Sequence, residues 1–163
     1  MRRAFAATAG IVGLIAATGV SAYAVAAPGP PTKRAFSEIN VGATISMNGG
    51  RFESVYRVKR SPDGGGAAVE DGTVAGTTFP AGGIDTVKTY FADGVRLTKE
   101  TFTLGPPRTD GIGTITGSGT CVGGTGVHQS EKCRYTFAGT YDLTTTVVKV
   151  TLTGTDTRSP AGA

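Results

Sequence analysis

From residue 37 onward, apolar and polar side chains alternate along much of the chain. The clearest run sets Ile39, Val41, Ala43, Ile45 and Met47 against Glu38, Asn40, Gly42, Thr44 and Ser46, the two-residue period of a strand with one buried and one wet face. The apolar set is expected to be the buried one. Asn48-Gly49-Gly50 follows as a tight turn, since glycine takes positive φ at no steric cost. A second strand then opposes Phe52, Ser54, Tyr56 and Val58 to Arg51, Glu53, Val55, Arg57 and Lys59. Further strands are predicted near 67–74, 86–91, 96–104, 111–121 and 133–141, and a last one, with Val148, Val150 and Leu152 on one face, ends near Thr155. No stretch repeats with a helical period. Strands joined in sequence by short Gly/Pro-rich turns form an antiparallel meander, and closing the meander removes its edges. The expectation is an all-β, eight-stranded up-and-down barrel; a β-sandwich is the alternative.

The segment CVGGTGVHQSEKC, residues 121–133, holds both cysteines and the single histidine. Pairing Cys121 with Cys133 across a hairpin places Gly119 opposite Tyr135, Gly117 opposite Phe137, Ile115 opposite Gly139 and Gly113 opposite Tyr141. Each pair joins one large residue to one glycine, and directly opposed side chains sit only about 4.5–5.5 Å apart, so this matching fills a face without crowding. The opposite face reads Thr120 with Arg134, Ser118 with Thr136, and Thr116 with Ala138, and is polar. Opposed strand positions suit disulfide geometry and two cysteines allow one connectivity, so a structural disulfide is expected, worth roughly 3 kcal/mol. Cys121, His128 and Cys133 alone would make a poor metal centre. No metal is expected.

Composition adds a compartment. Arg2 and Arg3 precede an Ala/Gly-rich apolar stretch that ends in small residues, the pattern of a secretory signal peptide. That run is broken by Gly10, Gly13, Thr18 and Gly19, too weak for a membrane span of about 20 residues. The reading is a signal peptide over 1–27, cleaved near Ala24 or Ala27, a flexible lead-in over 28–36, one barrel domain over 37–158 and a tail over 159–163, in a secreted protein with no stable membrane span once cleaved. With Arg2 and Arg3 set aside, 14 Lys/Arg face 12 Asp/Glu. These charges are scattered, with no basic run, so nucleic acid is not an expected partner, and they read as a solvated mixed surface.

Candidate chemistry is sparse. Glu100 falls in phase with Phe102 and Leu104, and Arg96 in phase with Glu100. Residues four apart on a strand are about 13 Å apart and cannot pair with each other. Either both point inward and meet polar groups from other strands, or a bulge turns Leu97 inward and Glu100 to water. Tyr56 and Tyr135 fall on apolar faces where their hydroxyls need partners. His128 is either a loop side chain or part of a ligand site at the barrel mouth; it lacks a Gly-x-Ser-x-Gly nucleophile, and no catalytic residue is assigned. Tyr56, Glu100, His128 and Tyr135 are the candidate ligand-binding residues. No cofactor is expected.

Gly123-Gly124-Thr125-Gly126, set before the last two strands, resembles the Gly-Gly-Thr/Ser-Gly segment of the allene oxide cyclase and dirigent superfamily of β-barrels. An aromatic and a glycine that usually follow in that family are His128 and Cys133 here. The resemblance covers the last third of the chain and implies a barrel whose apolar interior holds a ligand or steers a ring closure or coupling. Glycine, alanine and threonine at inward positions leave an eight-stranded barrel room for one small ligand. Three functions follow as expectations: binding of a small, largely apolar molecule in the interior, a cyclase or isomerase activity, or an envelope or matrix role through the outer surface, with homo-oligomerisation open.

Overall fold

The computed structural model describes residues 30–158; the expected signal peptide and tail lie outside them. Strands β1 (Thr32–Asn48), β2 (Arg51–Ser61), β3 (Gly64–Ala75), β4 (Ala81–Phe91), β5 (Gly94–Leu104), β6 (Ile112–Gly124), β7 (Lys132–Asp142) and β8 (Val147–Arg158) run antiparallel to their sequence neighbours. β8 pairs back with β1, closing the barrel. β1 begins at Thr32, opposite Arg158, so the stretch read as a lead-in is strand from that residue. The backbone groups at the end of β8 require that partner.

The β6–β7 hairpin has the register that size matching predicts: Gly113, Ile115, Gly117 and Gly119 face Tyr141, Gly139, Phe137 and Tyr135. Cys121 and Cys133 are bonded. Tyr135, Phe137 and Tyr141 point inward and join Phe36, Phe102, Val148, Val150 and Leu152 in the main apolar cluster, while Arg134 faces solvent.

β1 is inserted the other way round from the expectation. Glu38 and Asn40 are buried, whereas Ile39, Val41, Ile45 and Met47 are exposed. Residues directly opposed across a ladder share a face. Glu38 stands opposite Arg60 and Leu152, Asn40 opposite Val58 and Val150, and Gly42 opposite Tyr56 and Val148. Since β2 and β8 turn those residues inward, β1 must do likewise. Ile39, Val41, Val55 and Val147 are left on the outer wall as an apolar stripe.

The two ends of the barrel differ. At one, the β2–β3 and β4–β5 turns and the disulfide-closed β6–β7 loop meet over a charge cluster. Arg60 is fully buried, lies 4.0 Å above the Phe36 ring, and pairs with Glu131 and with Asp156. Arg34 and Arg158 each reach Asp63, at 2.7 and 2.8 Å. Three arginines thus face three acids, the balance that a buried ionic group needs. Part of the scattered charge read as surface is therefore interior. The glycine segment serves this closure. Gly126 has φ +58°, and a Cβ there would fall 2.2 Å from the Asp93 carbonyl oxygen, so only glycine lets the loop dock on the β4–β5 turn.

Candidate functional site

The other end is open. A cavity of about 590 Å³ lies inside it, walled largely by Phe52, Val74, Phe102, Leu104, Tyr141 and Val148, with Thr44, Ser46, Ser54, Tyr56, Glu70, Thr77, Asp142 and Thr146 as its polar members. Glycines make the room on this wall. Phe52 lies over Gly72 and Phe102 over Gly83, so tightly that a Cβ at either glycine would overlap the ring. The two rings meet edge to face at 5.7 Å. From the β3–β4 loop, Phe79 stacks on Tyr141 at the mouth, with ring centroids 6.2 Å apart.

Three inward carboxyls occupy successive strands beside this cavity: Glu70 on β3, Asp85 on β4 and Glu100 on β5. Asp85 and Glu100 are directly opposed, and Asp85 lies opposite Gly72, two residues along β3 from Glu70. The Tyr56 hydroxyl donates to Glu70 Oε2 at 2.5 Å, and the Tyr135 hydroxyl donates to Glu100. Neither Asp85 oxygen receives a hydrogen bond from another residue, although Asp85 is only 6% exposed. Burial and the neighbouring Glu100 and Glu70 carboxyls favour its protonated form.

Burial and like charge set the protonation of the group. Burial, together with Glu100 and Glu70, pushes Asp85 up to about 10. Burial pushes Glu100 up to about 7, the Tyr135 hydrogen bond opposing a larger rise. Glu70 also rises through burial, against the hydrogen bond from Tyr56. Both tyrosines are driven up by burial and by their carboxylate partners and stay protonated donors. The arrangement is a proton-holding acidic wall beside an apolar chamber.

Of the four residues singled out from sequence, Tyr56, Glu100 and Tyr135 lie on the inner wall. Tyr56 bonds Glu70 and lines the cavity, and Tyr135 bonds Glu100. His128 lies at the closed end instead. It is fully buried, stacks on Phe91 with centroids 5.0 Å apart, and has its ring nitrogens 2.5 Å from Glu131 and 3.2 Å from Asp93. Its neighbours hold Glu131 at about 2, since the His128 hydrogen bond and the Arg60 and Arg158 charges outweigh the rise that burial alone would cause.

Arg96 and Glu100 both point inward and meet other strands, Arg96 reaching both Glu38 oxygens at 2.8 Å. A register shift does fall at Leu97/Thr98 in the pairing with β6, yet it leaves Glu100 inside. Sequence reasoning passed over Glu70 and Asp85. Their signal was phase: Glu70 alternates with Ala68, and Asp85 with Val87 and Thr89, all buried.

Among the described residues no helix is long and apolar enough to cross a membrane, and no group of three or more His, Cys, Asp and Glu is placed to hold a metal ion. No family model, curated protein or solved structure matches the chain.

Proposed function

We propose that this chain is an exported barrel that takes a small, largely apolar molecule through its open end, with Tyr56 and Glu70 fixing the orientation. The observation that carries this reading is the 590 Å³ chamber, walled largely by apolar side chains, with Tyr56 and Glu70 among its polar groups, and accessible from one end while an ionic cluster fills the other. Apolar walls with a few convergent polar groups are the general form of small-molecule sites. Nile red, a neutral dye whose emission shifts blue in apolar surroundings, tests it by titration. Binding that is lost in Val148→Trp, with the melting temperature retained, supports the chamber. An unshifted spectrum at saturating protein overturns the reading.

A catalytic reading of the same chamber is favoured by Glu100, a buried carboxyl held at about 7, where an acid or base is most effective near neutral pH. It accords with the cyclase or isomerase activity implied by the resemblance at Gly123–Gly126. Turnover of a candidate substrate that is unchanged by Glu100→Gln would exclude it. The apolar stripe of Ile39, Val41, Val55 and Val147 favours contact between copies, and sedimentation of wild type against Val41→Glu tests that.

A further inference from the structure

We propose that the apolar ligand carries a protonated amine, and that this ammonium group seats against Glu70, Asp85 and Glu100. The inference rests on the chamber being a ligand site and names the chemistry of what enters it. An ammonium group has three N–H donors and no acceptor, the complement of an acidic wall that has acceptors to spare. Glu70 lies on the cavity lining, and the Asp85 carboxyl beside it has two oxygens to which nothing donates, although it is more than nine-tenths buried. A buried polar group without a partner is costly unless something supplies one.

The surroundings favour an organic cation over a neutral head group or a bare ion. Phe52, Tyr56 and Phe102 line the cavity with Glu70, and aromatic faces attract ammonium groups through their quadrupoles. Val74, Leu104, Ile115 and Val148 in the same lining suit a hydrocarbon body.

The groups that bear on the three carboxyls are Tyr56 from β2, Asp71 from β3, Arg96 on β5, Tyr135 from β7 and Glu38 from β1. Arg96 is the cation among them, and both Glu38 oxygens engage it. The wall therefore carries an uncompensated excess of acid. In the unliganded protein that excess is met by retained protons. An entering ammonium group displaces one of them, a carboxyl proton leaving to solvent as the N–H···O contacts form.

Calorimetric titration with 1-aminooctane and with 1-octanol, probes of equal chain length, tests the proposal on the whole protein. The amine stays protonated across about pH 5.5 to 8.5, because an alkylammonium titrates near 10.4. At about pH 8.5 the amine is expected to bind roughly tenfold or more tighter than the alcohol, as a charge-assisted hydrogen bond allows. The ratio should fall toward one at about pH 5.5, where the carboxyls hold their protons. Glu70→Gln combined with Asp85→Asn should lower the ratio at high pH, with circular dichroism checking the fold.

Equal binding of the two probes at high pH overturns the proposal and leaves the apolar chamber standing. A preference for amine that is independent of pH in the wild type also overturns it, and this arm needs no variant to fold. Binding of neither probe overturns both the proposal and the reading on which it rests.

Discussion

Replacing Asp85 by asparagine keeps the side chain's shape and removes one of three neighbouring buried carboxyls. In the unfolded chain Asp85 titrates near 3.9, and in the folded protein near 10. Between those values the folded state holds a proton that the unfolded state releases, so stability falls as pH rises, by about 1.4 kcal/mol per pH unit. From about pH 4 to pH 7 that amounts to roughly 4 kcal/mol if Asp85 titrates alone, and proton sharing with Glu70 lowers the expected loss to roughly 2–4 kcal/mol. Asparagine does not titrate. Asp85→Asn should therefore match wild type near pH 4 and exceed it by roughly 2–4 kcal/mol near pH 7. Urea unfolding followed by circular dichroism at about pH 4, 5.5 and 7 measures the difference, read as a shift in midpoint at constant slope. Parallel pH profiles for variant and wild type, or a variant less stable at neutral pH, would refute the assignment of Asp85 as an acid kept neutral by burial.

At the closed end the sign reverses. Glu131 is held at about 2, below its ordinary range, so its contribution is full above about pH 4.5 and is lost as pH falls toward about 2. Glu131→Gln should cost about 3 kcal/mol near pH 7, by removing the carboxylate charge that Arg60, Arg158 and His128 share, and less near pH 3, as thermal melts at the two values would report. In the hairpin, a Cβ on Gly117 would fall 2.3 Å from the Phe137 ring and 2.4 Å from the Thr101 carbonyl oxygen. Gly117→Leu is then expected to cost roughly 1–3 kcal/mol, and Thr116→Val, on the exposed face, less than about 0.5, in chemical denaturation. Reduction of Cys121–Cys133 should remove roughly 3 kcal/mol and lower the melting temperature while the far-ultraviolet spectrum of the sheet persists, because the glycine–aromatic pairs specify the same register. A coil spectrum after reduction would show otherwise.

Strand order, the closed meander and the β6–β7 register were legible in the residues themselves, for a local reason. Alternation, turn glycines and the matching of Gly117 to Phe137 act between neighbours in sequence or across one hairpin. The disulfide belongs with these, since two cysteines on paired strands leave one connectivity. Orientation and assembly belong to the closed barrel. A period of two gives a strand two faces without saying which one turns in, and β1 follows the inward sides of β2 and β8 even though that buries Glu38 and exposes Ile39 and Val41. Glu38 is then matched by Arg96, 58 residues away, and Arg60 by Asp156, 96 residues away. No local pattern relates such pairs. His128 likewise lies beside Glu131 in the chain, but its burial comes from the loop folding onto Phe91 and the β4–β5 turn. Glu70, Asp85 and Glu100 sit about one hairpin apart in sequence, each in phase with its own strand, and only the ladder registers bring them onto one wall beside the open end, because a strand carries its side chains to whatever height its neighbours' hydrogen bonds set.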